Sequence, residues 1–305
     1  MPGLFSSKAK RVQTGIDFLP TGVAVTQVSR ERKNAGVLLQ SAFLPSAGAL
    51  QQAAALRQWV HDNHLQHVTC HCLLARHDVQ LLQLEKPAVA DDELLQAVKW
   101  KVKDLISFDV EKSVIDVYEL PNSPKTPVEY INAVVANEDV VARYVDVVRE
   151  SGLELQVLDI YELATKNFIQ SQPLENSTTM VLQFSDNDSL VTIYHHGDLY
   201  VARDFKIGLL DIEAALHQGE DTYDALLLEL QRSMDYFESS YGLGLAQKML
   251  MFPQTAGTDR MASYLQNYVN FDVEFAHITS ADGAENALDV HCFPAYCAAL
   301  RGVAQ

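Results

Sequence analysis

The sequence predicts an α/β protein built as two lobes, and three observations lead there. The chain has 305 residues, too long for one simple core and suited to two ordinary domains. Hydrophobic residues make up 48% and charged residues 21%, a globular composition. Two short strands around a tight turn open the chain after Val12, and the same plan recurs after Thr178, which points to an internal duplication.

The first strands are expected at 12–18 and 23–28, joined by the turn Leu19-Pro20-Thr21-Gly22. A third strand spans about 35–43. A helix follows at 50–61, with Leu56, Trp59 and Val60 at helical spacing, and then a strand at 68–74. Strand, strand, strand, helix, strand describes a mixed sheet with a helix on one face. After Lys86-Pro87 the pattern changes. Asp91-Asp92-Glu93 starts a helix whose Leu94, Leu95, Val98, Val102, Leu105 and Ile106 recur at steps of three and four. Strands at 113–120 and 129–136 flank a Pro-rich turn. A helix at 140–150 stops at Ser151-Gly152, and a strand at 155–160 follows. The block from about 88 to 158 thus reads as a small α/β insert on the first lobe.

A helix at 158–170 links the halves, and the polar segment 172–177 is the boundary. It divides the chain into a first lobe, 1–176, and a second, 177–305. Strands at 178–184, 189–195 and 199–205 open the second lobe. A small helical subdomain covers about 214–248, and its main helix, 221–241, carries an apolar stripe of Leu227, Leu230, Met234, Phe237 and Tyr241. A strand at 248–252, a loop at 253–258, a helix at 261–268, a strand at 273–278 and a helix at 293–300 complete the reading.

Charge narrows the partners. With 23 Lys+Arg against 40 Asp+Glu the net charge is -17, a surface that repels nucleic acid and anionic lipid. Lys8, Lys10 and Arg11 form a short basic exception, either a solvated tail or a membrane tether. The segment 1–13 has neither an apolar stretch nor a cleavage site of a secretion signal, and no apolar run is long enough to span a bilayer. The expected compartment is the cytoplasm. Cys70 and Cys72 share one face of a strand and His71 takes the other, so no metal site is expected. Those two and Cys292 and Cys297 read as buried free thiols.

A hairpin opening each lobe can clamp phosphates from both sides. That chemistry asks for an Asp at the strand end, to hold water and Mg²⁺, and a Gly two residues on, so that backbone N–H groups close on the phosphate. In the first half Asp17 is present, but Leu19 and Pro20 follow. In the second half the run is Gln183-Phe184-Ser185, an amide for the acid and Ser for Gly. On the adenosine side, 249–252 is followed by Pro253 and a single late glycine, Gly257. What remains of a nucleotide site is Asp17, Thr21, Gly22, Ser185 and Gly257, and no catalytic residue is expected.

Several motifs in order resemble the PilM family of type IV pilus biogenesis proteins. They are Gly15-Ile16-Asp17; 92–108 with Glu93-Leu94, Trp100 and Ile106-Ser107-Phe108; Val134-Val135-Ala136; Tyr144; and Gly152-Leu153. Further along are 158–164, Arg203 with Ile207-Gly208, and Glu229 with 232–237. The likeness runs over roughly 12–302. Within the group, the short N-terminus and altered loops are most similar to the MshI branch, the counterpart in the mannose-sensitive haemagglutinin (MSHA) pilus. The GspL cytoplasmic domain and FtsA are more distant relatives.

The resemblance implies an actin/hexokinase/Hsp70-like (ASKHA) two-lobed α/β fold, with subdomain 1A in the first lobe and the 88–158 block as an FtsA-like 1C insert. It also implies a cytoplasmic adaptor, peripheral to the inner membrane, that captures the N-terminal peptide of a PilN-like inner-membrane protein between insert and first lobe. The pilus assembly ATPase and a second copy of the chain are the further partners of such an adaptor. The family's Gly at Leu19, its Asp and Gly at Gln183 and Ser185, and its Pro at Ser107 are missing. The expectation is therefore a non-enzymatic adaptor without cofactor; the alternative is Mg-ATP held as a switch by those remnants together with Gly208, which the resemblance adds to the site. Trp100, Ile106, Phe108 and Tyr130 are the insert's largest apolar groups, read either as its core or as the peptide groove.

Overall fold

A computed structural model describes residues 12–31, 36–172, 177–281, 283 and 288–303, apart from the side chain of Gln218. The basic Lys8, Lys10 and Arg11, the start of the expected third strand and most of the 172–177 boundary lie outside the described residues.

The first sheet has the order β3-β2-β1-β4-β8. Strand β1 (Val12–Leu19) pairs antiparallel with β2 (Gly22–Ser29), and β2 pairs antiparallel with β3 (Leu38–Pro45). On the other side β1 is parallel to β4 (Thr69–Leu73), which is parallel to β8 (Glu154–Asp159). The second sheet repeats the plan as β11-β10-β9-β12-β13. There β9 (Thr178–Phe184), β10 (Ser189–His195) and β11 (Asp198–Phe205) are antiparallel, and β12 (Lys248–Phe252) and β13 (Asp272–Phe275) run parallel to β9. Asp17 faces Leu73 at the end of its parallel ladder, and Gln183 faces Phe252 at the end of the corresponding one. The duplication read from the sequence therefore holds at the level of strand register.

Sheets covered on both faces take near-continuous apolar strands, and every residue of β9 is buried. One face of the first sheet packs on α1 (Ala49–Asp62) and α3 (Glu138–Ser151), around Ile16, Leu56, Val60, Cys72 and Val148. Asn137 caps α3 by accepting the Asp139 N–H at 2.9 Å, and Gly152 ends it at φ 93 in the left-handed region. Between the two sheets lie α4 (Tyr161–Ser171) and α8 (Phe293–Ala299). The outer face of the second sheet carries α5 (Leu209–Gln218), α6 (Asp221–Tyr241) and α7 (Ala256–Gln266).

Four boundaries differ from the sequence reading. The insert is a three-stranded sheet, β5-β7-β6, whose first strand β5 (Val79–Glu85) precedes the expected start at 88. It is completed by α2 (Leu94–Val102), β6 (Ser113–Glu119) and β7 (Tyr130–Asn137). The strand expected at 155–160 is β8 and belongs to the first sheet, not to the insert. The helix at the chain's end, α8, packs on β1 although its residues fall in the second-lobe range. A β-carbon on Gly15 would lie 1.8 Å from the carbonyl oxygen of Ala295, so only glycine permits this approach. The loop expected at 253–258 is shorter, because Thr255 caps α7 from Ala256 onward.

All four cysteines are free and buried. Cys70 and Cys72 face the core under α1, and His71 turns the other way, its Nδ1 lying 3.0 Å from the carbonyl oxygen of Ala298. Among the described residues no helix is long and apolar enough to cross a membrane, and no group of His, Cys, Asp and Glu could hold a metal ion.

Candidate functional site: the interlobe cleft and the groove beside it

The two hairpin turns face each other across a cleft of about 300 Å³. Leu19, Pro20 and Thr21 line one side, and Ser185, Asp186, Asn187 and Asp188 the other. Arg76, in the turn after β4, spans the gap. Its guanidinium donates to Asp188 and Asp204 and, at 3.3 Å, to the Ser185 hydroxyl. It also lies 5.7 Å from the Tyr161 ring centre, so one first-lobe cation ties together three second-lobe groups.

The residues expected for nucleotide are dispersed. Thr21 and Ser185 line the cleft. Asp17 lies behind it, fully buried, and its Oδ1 accepts the Tyr161 hydroxyl at 2.6 Å. Among the described residues no group pairs with its Oδ2. Burial pushes the Asp17 carboxyl up to about 7, with the Tyr161 bond and Arg76 pulling the other way. Gly22 packs against Phe43 and the carbonyl of Leu44. Gly208 lies against the 186–187 backbone, where a β-carbon would come within 2.4 Å, and its N–H donates to Asp211 at 2.9 Å. Gly257 donates to Glu213 at 3.2 Å, and neither it nor Gly208 lines the cleft. Gln183 lines the cleft and gives its amide to the Thr165 hydroxyl at 2.6 Å. The Ser185 N–H closes its own turn on the carbonyl of Asp188 at 2.8 Å, so that donor is already in use.

A second cavity, about 330 Å³, opens where the insert's connections meet the first lobe. Leu19, Pro20, Ala49 and Gln52 line it from the first lobe, and His77, Tyr144 and Val147 from the turn after β4 and from α3. The rings of Phe18 and Tyr144 meet edge to face at 5.7 Å. The Tyr144 hydroxyl accepts the Ala75 N–H at 3.1 Å and donates to Asp78 at 2.9 Å, and Gln52 donates to the carbonyl of Leu19 at 2.7 Å. The groove's walls are mostly apolar, with Gln52, His77, Asp78 and Arg143 as its polar members.

The four apolar residues expected at a groove do not converge on it. Ile106 and Phe108 pack on the insert's core. Trp100 is 67% exposed on α2 beneath the Lys103 ammonium. Tyr130 borders a separate polar hollow with Lys86, Glu119 and Glu129. The groove residues come instead from four separated segments; of them, Tyr144 belonged to a motif of the resemblance, and Leu19 and Pro20 to the altered phosphate loop.

No family model matches the chain, and no curated protein matches it by sequence. Among solved structures it is similar to a chain of a PilM-PilN type IV pilus biogenesis complex, with TM-score 0.72 and 16% identity over 96% of this chain and 98% of the other. It is similar to the cytoplasmic domain of EpsL, an inner membrane component of the type II secretion system of Vibrio cholerae. That likeness has TM-score 0.54 and 12% identity over 96% and 94% of the two chains. A protein of unknown function with an actin-like ATPase fold, from Bacteroides thetaiotaomicron, gives TM-score 0.50 at 10% identity over 88% and 92%. The chain has the actin-like ATPase fold.

Proposed function

We propose that the chain is a non-enzymatic, actin-fold adaptor of a type IV pilus assembly machine, and that it captures the N-terminal cytoplasmic peptide of a PilN-like membrane protein. The observation that carries this is full-length likeness, over nearly all of both chains, to a protein named from a PilM-PilN complex. Within that frame, the groove of Leu19, Pro20, Gln52, Tyr144 and Val147 is the docking site, since its apolar walls suit the side chains of an extended segment. The chain works at the cytoplasmic side of the inner membrane through that partner. The sequence departures at Leu19 and Gln183 favour the MshI branch and an MSHA-type pilus.

The cleft supports a scaffold without nucleotide. Arg76 crosses the space between the hairpins and occupies the Ser185 hydroxyl, Ser185 spends its N–H within its own turn, and Gly208 and Gly257 serve packing. One observation favours a second reading, a Mg-ATP switch: Asp17 keeps a buried oxygen with no partner among the described residues. Calorimetry with Mg-ATP separates the two, and submillimolar binding lost in Asp17→Ala would establish the switch. Docking is tested by titrating a synthetic peptide of the PilN-like protein's N-terminus into the full chain. Micromolar binding, abolished by Val147→Asp and retained in Phe108→Ala, is expected. No binding to the unaltered protein, or equal binding to Val147→Asp, refutes the groove.

A further inference from the structure

The cleft and the groove share a wall. Phe18, Leu19, Pro20, Ala75 and His77 line both cavities, one from each side. The wall has two strips, the tip of the first hairpin and the turn after β4, and each is held from the groove side. Gln52 holds the tip through the carbonyl of Leu19. Tyr144 holds the turn at both ends, through the Ala75 N–H and the Asp78 carboxylate. Between those two anchor points stands Arg76, whose side chain leaves the wall on the cleft side and ties the lobes together.

From this we infer that the wall couples peptide capture to lobe closure. Filling the groove tightens the Arg76 tie, and releasing the tie weakens capture. The inference rests on the groove as docking site. Side chains entering the groove pack on Leu19, Pro20 and His77 and remove freedom from residues 75–78. The guanidinium then loses less entropy when it aims at Asp188 and Asp204. The tie is breakable because it is partly solvated: the Arg76 side chain is 17% exposed and that of Asp204 55%. Coupling free energies act in both directions, so closure must strengthen capture by the factor by which capture strengthens closure.

Hydrogen exchange in the full chain tests the coupling without any partner. Ala49→Trp places a ring in the groove from an exposed position, and Val147→Trp does so from α3. Either is expected to slow amide exchange in 185–188 and 209–210, and to do nothing when Arg76 is also replaced by Ala. Unchanged exchange, or equal slowing without Arg76, overturns the coupling. In the peptide titration, Arg76→Ala is expected to bind about fivefold more weakly or worse, with Arg76→Lys intermediate. Equal affinities overturn the inference. Failure of the peptide to bind the unaltered protein instead removes the docking reading, and the exchange experiment still decides the coupling.

Discussion

Replacing Asp17 by Asn should make the protein more stable at neutral pH. In the unfolded chain this carboxyl titrates near its ordinary 3.8, whereas in the folded protein burial raises it to about 7. Between those values the folded state keeps a proton that the unfolded state has lost. Its contribution to stability therefore falls as pH rises from about 4 to about 7 and stays level above. At about 1.4 kcal/mol per pH unit, the span sets a ceiling of roughly 4 kcal/mol on the destabilisation at neutral pH. Asn keeps an oxygen for the Tyr161 hydroxyl and carries no charge. We expect urea unfolding at about pH 8 to show the variant more stable by roughly 1–3 kcal/mol, with the difference closing near pH 4. Glu162, also raised to about 7 by burial, imposes the same slope on both proteins and cancels in the comparison. A variant less stable at pH 8, with an unchanged pH slope, would refute the reasoning. It would mean that the carboxylate is held charged and available to a cation.

Two packing predictions follow from the centre of the molecule. Gly15→Ala sets a methyl 1.8 Å from the Ala295 carbonyl oxygen, so α8 must move bodily; the expected loss is about 3 kcal/mol or more, read as a fall in Tm of roughly 6–12 °C. Phe168 is fully buried and meets Phe293 and Tyr296 edge to face; Phe168→Ala should lose about 3–5 kcal/mol in chemical denaturation, and a loss below 1 kcal/mol would mean that α4 and α8 collapse into the gap.

The lobes were legible because both hairpins pair runs rich in Val, Ile, Thr and Phe around Pro, Gly or Asp turns. Strand β5 was not, since Leu81-Leu82 interrupts alternation. Leu82 packs on the insert's core, while Leu81 borders a cavity with residues of β11. The position of α8 could not be read, because small residues such as Ala295 and Ala299 do not declare their partner. Arg76 carries no local signal either, as Asp188 and Asp204 lie 112 and 128 residues away. Size does not sort the insert's apolar groups, since Trp100 is exposed while Ile106 and Phe108 are half-buried. Periodicity ranks faces of a helix, but it does not show which apolar side chain is left outside when three segments meet.

The helix α8 has a consequence for how the protein is made. The face of β1 that it covers is translated well before the helix itself, since Ala295 leaves the ribosome some 280 residues after Gly15 (295 − 15). During that interval the first lobe can fold around α1 and α3 but not close on its other side, and exposed apolar surface of this kind invites aggregation. The lobe begun first is completed last. A nascent chain stalled before residue 293 should accordingly bind holding chaperones through its first sheet, and release should coincide with emergence of α8.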